Sequence, residues 1–329
     1  KFKNTLIVSF TFALLTGFSV ITSAVDYSTF ATMPNSGNDG LTFDLEGNLY
    51  VSYIAGNLSG DKIYKIATDG EISIAVADLA GPLDIDFDSM GNMYVANYNS
   101  GIITKITPEG TKSRFSDLIN VNGIVINNQD ELFVTSFNDS VVYKVSASGE
   151  SEIWLQGNGL NAPVGIALDE DENVYVGNYN NGRIFKIDSN KSVTELGSSP
   201  DNQGNAYITY ANGMVYASGI DSNRIYQIPT DGGAVTELEG SAEAGFNFPN
   251  DIVPNADGTK LYVSNFRSNK IIVIENLDEV TAEATSTTTT TTPAPIPAPV
   301  KDNKSSGGGT IAYSLLILAL FRAFRRLSR

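Results

Sequence analysis

The chain of 329 residues contains no cysteine and no histidine. Without cysteine, no disulfide can staple the fold and no thiolate can hold a metal. Without histidine, the commonest general base and the commonest metal ligand are missing together. A serine nucleophile therefore has no partner for a conventional triad, and no G-x-S-x-G elbow occurs. No glycine loop of the phosphate-cradling kind is present either, so neither a nucleotide nor a haem is expected as cofactor. Tryptophan occurs once, at Trp154, where a packing role is expected. Basic residues are few: 21 Lys and Arg against 37 Asp and Glu give a net charge of −16. That balance argues against nucleic acid and anionic lipid as partners.

Long apolar runs are confined to the two ends. Lys1 and Lys3 precede an apolar stretch from Leu6 to Val20, and Thr22 to Ala24 closes it with small residues. The pattern predicts a secretory signal peptide over residues 1–24. From residue 278 to 306 a Thr/Pro-rich linker, containing "TSTTTTTTPAPIPAP", cannot build a core. Residues 307–329 then join Gly307, Gly308 and Gly309 to a short apolar run, Ile311 to Phe321, and to Arg322, Arg325, Arg326 and Arg329. The run is well below the roughly 20 residues that span a bilayer, and the arginines would stay cytoplasmic. This order resembles the glycine–glycine C-terminal sorting tag of Gram-negative bacteria. The resemblance implies cleavage by a rhombosortase, a rhomboid-type sorting protease, and an exported protein at the outer surface or in the medium, transiently membrane-anchored. A plain single-span tail anchor is the alternative. The two ends carry six basic and no acidic residues, leaving 15 basic against 37 acidic, a net charge of −22 over residues 25–306.

Between the ends, residues 25–277 read as one repeat-built domain. One aromatic marks each copy, at Tyr50, Tyr94, Phe133, Tyr175, Tyr216 and Tyr262, with spacings of 44, 39, 42, 41 and 46 residues. That period suits one four-stranded propeller blade. Within a unit the apolar pattern has period two, which makes strands. In the fourth unit "VGIALD" reads as the innermost strand, "VYVGN" as the second, "RIFKID" as the third and "SVTELG" as the outer one. The intervening "DEDEN" reads as a hairpin: it starts like a calcium loop at Asp169, Asp171 and Asn173, but Val174 replaces the required glycine. The sixth unit ends at "KIIVIEN" without an outer strand, and the N-terminal "YSTFATM" has no blade of its own. Pairing the two predicts an all-β, six-bladed β-propeller closed by an N-terminal outer strand, with no open edge.

In this arrangement the start of each innermost strand and the loop between strands two and three open on one face. Reading the first of these positions around the ring gives Asp39, Leu83, Asn122, Val164, Asn205 and Asn250, followed in two blades by Asp84 and Asp251. The second loop adds Asn97, Ser136, Asn178, Asn265 and Arg267 as candidate ligand-binding residues. Amide oxygens with a few carboxylates suit one hard divalent cation, calcium, magnesium or manganese. The same residue types also cap turns, and that reading stays open. Lys65, Lys105, Lys144 and Lys186 recur on third strands and read as a solvated stripe.

"APVGIALDEDENVYVGNYNNGRIFKID" resembles the NHL repeat, and "FPNDIVPNADGTKLYVSN" resembles a blade of the gluconolactonase-like, senescence-marker-protein family. The resemblance implies the six-bladed fold. In the gluconolactonase-like family a first-blade carboxylate and later Asn or Asp residues hold a metal, which would place it on Asp39, Asn122, Asn205 and Asn250. Asp251 or Asp84 would then act as the base on a lactone or ester. The sequence departs from that family at Val164 and at Asn205, where a polar ligand and a catalytic carboxylate would stand. Two functions follow. The first is a monomeric, surface-displayed module binding a protein, peptide or glycan through its loop face. The second is a metal-dependent lactonase or esterase.

Overall fold

The computed structural model describes residues 25–200 and 205–277. The expected signal peptide (1–24), linker (278–306) and C-terminal tail (307–329) lie outside them. Among the described residues, twenty-four strands, β1–β24, form six four-stranded antiparallel sheets. Five of these blades are consecutive in the chain. The sixth is ordered β1 (Asp26–Thr32), β24 (Lys270–Glu275), β23 (Leu261–Asn265), β22 (Pro249–Pro254), so β1 lies outside β24 as the expected closing strand. Tyr27 faces Ile274 and Thr29 faces Ile272. Met33, just past β1, is buried and donates its N–H to the Asn269 carbonyl at 2.6 Å.

The repeated aromatics lie on the second strands, with Tyr94, Tyr175 and Tyr216 at most 1% exposed between blades. The repeated lysines stand directly across from them, as in the pairs Tyr94–Lys105 and Tyr175–Lys186. Each ammonium sits 5.1–5.7 Å from its ring centroid. Each also pairs with a hairpin carboxylate, Asp44, Asp88, Glu131 or Asp169. The lysine stripe is thus a set of cation–π and ionic clamps, one in each of four blades. "DEDEN" is a hairpin: Asp169 accepts the Asn173 N–H at 2.8 Å and the Tyr175 hydroxyl at 2.8 Å. Trp154 packs edge-on against Phe133 at 4.9 Å, as its outer-strand position suggests.

Six inner strands line the central channel: β2 (Asn38–Phe43), β6 (Pro82–Phe87), β10 (Val121–Ile126), β14 (Pro163–Leu168), β18 (Asn205–Ala211) and β22 (Pro249–Pro254). Each carries one extra residue near its start relative to the second strand of its blade. Such a bulge turns backbone groups away from their own sheet, and a second-strand hydroxyl collects them. Ser264 Oγ accepts the Asp251 N–H at 2.9 Å and donates to the Asp39 carbonyl of the next blade at 2.6 Å. Ser52, Thr135 and Ser218 make the same bridge at three other blade junctions. The approach is close enough that a Cβ on Gly123 would fall 2.3 Å from the Val164 carbonyl oxygen, so only glycine fits there.

Ser264→Ala strands a buried carbonyl and a buried N–H at the junction where the ring closes. It should cost about 1–3 kcal/mol, lowering the melting temperature by roughly 2–10 °C for a domain of this size. Calorimetry checks this; an unchanged melting temperature would remove the hydroxyl bridge as a closing element.

Candidate functional site

Aligning the six inner strands on their common apolar residue, Leu41, Ile85, Ile124, Ile166, Ile208 and Ile252, fixes what each blade offers to the channel. Two residues before it stand Asp39, Leu83, Asn122, Val164, Ala206 and Asn250. One residue before it stand Gly40, Asp84, Gly123, Gly165, Tyr207 and Asp251. Asn205 therefore lies one position outside the ring expected for it, opposite Gly219 as Asn38 lies opposite Tyr53. The Asn205 side chain is outside the described residues. In the second ring three glycines leave space for the larger Asp84, Tyr207 and Asp251.

Above these rings, on the loop face, a cup of about 390 Å³ opens. Its floor is polar, formed by Asp39, Asn122, Asn250 and Tyr207, which are 3–7% exposed. Tyr207 also borders a second, smaller cavity of about 190 Å³ on the far side, so its ring separates the two halves of the channel. Its hydroxyl reaches from blade five to blade three and donates to Asn122 Oδ1 at 3.1 Å. The walls of the cup are apolar, with Leu83 and Val164 from the inner strands and Phe137, Tyr179, Phe248 and Phe266 from the loops.

A mouth rich in oxygen ligands describes the floor and not the walls. Four of the wall residues follow a rule visible in the sequence: each second strand is followed at once by an apolar residue, Ile54, Tyr98, Phe137, Tyr179, Ile220 or Phe266, and the last four of these line the cup. The polar residues just before them point their amides elsewhere. Asn178 Oδ1 accepts the Asn161 N–H at 3.1 Å while its Nδ2 donates to the Gly159 carbonyl at 2.8 Å. Asn97 and Asn265 bind their own loops in the same way. These three side chains are at most 1% exposed and clasp one loop to the next. Arg267 does line the cup, with its guanidinium 4.3 Å from the Phe248 ring centroid. Phe248 itself holds φ at 58°, a left-handed backbone that a bulky side chain rarely adopts.

The carboxylates differ in their surroundings. Asp84 accepts the N–H of Ile85 (2.9 Å) on one oxygen and of Ile124, in the next blade, on the other (2.8 Å). Asp251 likewise accepts Ile252 (2.8 Å) and Leu41 of blade one (2.5 Å). Both candidate bases are therefore tied down as struts between blades. Burial, then the Asp251 charge, pushes the Asp84 pKa well above the usual carboxylate range, and burial does the same for Asp251. Asp39 is raised by burial and then by the Asp84 charge, with the Tyr207 hydroxyl and the Asn250 amide partly offsetting this. Unlike the struts, Asp39 keeps one oxygen, Oδ1, buried with no hydrogen-bond partner.

A divalent cation needs more than this floor supplies. Among the described residues no three acidic side chains are grouped to hold a metal. Of the expected set, Asn205 is out of the ring, leaving Asp39, Asn250 and Asn122, whose Oδ1 also accepts the Tyr207 hydroxyl. Three side chains with a single carboxylate fall short of the six to eight oxygens of a calcium site.

No protein-family profile matches this sequence, and no curated protein sequence matches it. Solved structures do. A catalytically inactive histidine-to-alanine variant of virginiamycin B lyase from Staphylococcus aureus, with quinupristin, is 18% identical, with a TM-score of 0.59 over 76% of this chain and 99% of that one. A gluconolactonase from Xanthomonas campestris is 12% identical, with a TM-score of 0.61 over 76% and 89%. A chain of a nidogen–laminin complex is 19% identical, with a TM-score of 0.53 over 63% and 78%. At these identities the likeness is one of fold: the chain is a six-bladed β-propeller similar to virginiamycin B lyase and gluconolactonase structures.

Proposed function

We propose that this propeller is a binding module, displayed outside the cell, that holds a small or terminal group of a ligand in the loop-face cup. The observation that carries the reading is the cup itself, apolar walls around a small polar floor, which is the usual composition of a ligand pocket. Its volume falls within the range of pockets that take small molecules or the end of a peptide or glycan. The lyase reading lacks support, because the related lyase is inactive as a histidine variant and this chain has no histidine.

The test is a thermal-shift screen of compounds and peptides on the intact chain, repeated on Val164→Trp, which fills the cup from its wall. A ligand at 100 times its dissociation constant adds about 2.7 kcal/mol, or roughly 5–10 °C here. Shifts should vanish in the tryptophan variant; shifts that persist there place binding elsewhere and end the proposal.

The hydrolase is the second reading, favoured by the convergence of Asp39, Asn122 and Asn250 on one floor. Because the donor set does not fit a cation, no catalytic step is derived through one. Calcium, magnesium and manganese should leave the melting temperature of the chelator-treated chain unchanged. A saturable rise that disappears in Asn250→Ala would restore that reading.

A further inference from the structure

We infer that the cup selects a small organic cation: an ammonium group with N–H donors, carried on an apolar body and seated with its charge toward Asp39. This rests on the reading that the cup is the binding site. It starts from a mismatch in the floor. Asp39 is 4% exposed, and its Oδ1 has no partner among the described residues. A buried carboxylate oxygen without a donor is costly, which is why burial favours the proton on Asp39, and an ammonium would take that proton's place. The Tyr207 hydroxyl and the Asn250 amide stand beside the carboxylate and act on it, but neither bonds Oδ1, the hydroxyl donating to Asn122, and the charged neighbours Asp84 and Asp251 are acceptors themselves. An inorganic cation would require oxygens that the floor lacks, whereas an ammonium needs only one or two acceptors and an apolar surround.

The walls supply that surround. Phe137 and Tyr179 form an edge-to-face pair at 5.6 Å on one side, and Phe266 lies 5.7 Å from Phe248 on the other. Aromatic faces attract cations through their quadrupole, and one face at this cup already does so, since the Arg267 guanidinium stacks on Phe248. Among the described residues Arg267 is the one cationic side chain lining the cup. It stands at the wall, so an anionic ligand is the competing outcome. Two features weigh against that outcome: the guanidinium is already engaged on an aromatic ring, and the chain's net charge of −16 draws cations and repels anions.

The experiment compares three probes of one shape on the intact chain by titration calorimetry: phenethylammonium, 2-phenylethanol and phenylacetate. Phenethylammonium should bind at least about tenfold more tightly than the alcohol, with phenylacetate weakest. Asp39→Asn should weaken the ammonium at least about tenfold and the alcohol much less, closing the gap between them. Because the ranking on the unmodified chain needs no variant, a misfolded Asp39→Asn does not obscure it. Equal binding of ammonium and alcohol, tighter binding of phenylacetate, or no binding of the ammonium overturns the inference. In each case the cup remains a binding site if other compounds lose their thermal shift in Val164→Trp, and only the cation preference falls.

Discussion

A chain lacking residues 25–33 should melt at least about 10 °C below the intact one and should self-associate. The deletion removes the strand with which the N-terminus completes the last blade, leaving blades six and one joined through inner-strand contacts such as the Leu41 N–H to Asp251 and Ser264 to the Asp39 carbonyl. It takes away Met33, 1% exposed, and the rings of Tyr27 and Phe30, which pack on Phe246 at 6.0 Å and on Tyr262 at 4.8 Å. Full burial of one such side chain is worth about 1.5–3 kcal/mol, so several partly buried ones together contribute on the order of 5 kcal/mol, at roughly 2–4 °C per kcal/mol. The deletion also strips the partner from β24, whose sequence "KIIVIE" is β-branched and nearly uncharged along its middle. An unpaired edge of that composition templates pairing with another chain. A synthetic peptide spanning Val25 to Met33, added in trans, should recover part of the lost melting temperature. A truncated chain that stays monomeric and melts normally would show that the ring is held by its inner strands alone.

The architecture was legible in the sequence because it is written six times. A marker aromatic every 39–46 residues, a period-two pattern, an orphan strand at the start and a unit short of its outer strand at the end leave the closed ring as the arrangement that pairs every edge. The site was legible only in part, for two physical reasons. In blade five "NAYITY" offers an asparagine at a plausible place, but register is set by the apolar residue that packs beneath the bulge, Ile208. Counting back from Ile208 puts Ala206 and Tyr207 on the channel. Tyr207, the side chain that makes the floor, was missed by that single residue. The asparagines that end the second strands drew attention as polar groups on a binding face, yet their donors and acceptors are used by the loops that shape it. The wall residues stand beside them, and their signal was an unbroken series of apolar residues at one loop position. The separation between struts and floor could not be read at all. In the sequence Asp39 differs from Asp84 and Asp251 by a one-residue offset from the apolar residue, and which backbone N–H groups the bulges turn toward each is set by the fold.

Those carboxylates make the pH dependence of stability the second large expected effect. The hairpin carboxylates Asp44, Asp88, Glu131 and Asp169 have pKa values held below their ordinary ones by hydrogen bonds, chiefly from Asn and Tyr groups, and by facing lysines, against the effect of burial. A depressed pKa contributes stability that is present above the unfolded value and is lost as pH falls through the folded one, so their window lies below about pH 4. The channel carboxylates have the opposite sign. Burial pushes Asp86 up to about 6, and Asp39, Asp84 and Asp251 are raised well above the usual range. A carboxyl with a raised folded pKa binds its proton more tightly in the native state. Its contribution is complete below about pH 4 and is lost as pH rises, from about 4 to 6 for Asp86 and onward for the other three. The two groups thus occupy separate windows, and stability should peak near pH 4–5 and then fall. From pH 5 to 8 Asp86 alone should cost about 1.4 kcal/mol, its proton being lost near pH 6, or roughly 3–6 °C in melting temperature, and the other three carboxyls add in the same direction. Overall acidic repulsion acts in the same direction, but about 0.5 M salt screens exposed charges and leaves buried ones largely unscreened, so the decline should persist in salt. Asp86→Asn should flatten the profile between pH 4 and 6, whatever it does to the absolute level through its bonds to Phe87 and Ile126. Stability that holds level or rises from pH 5 to 8 would mean that the inter-blade N–H bonds outweigh burial and that the struts are ionised without cost.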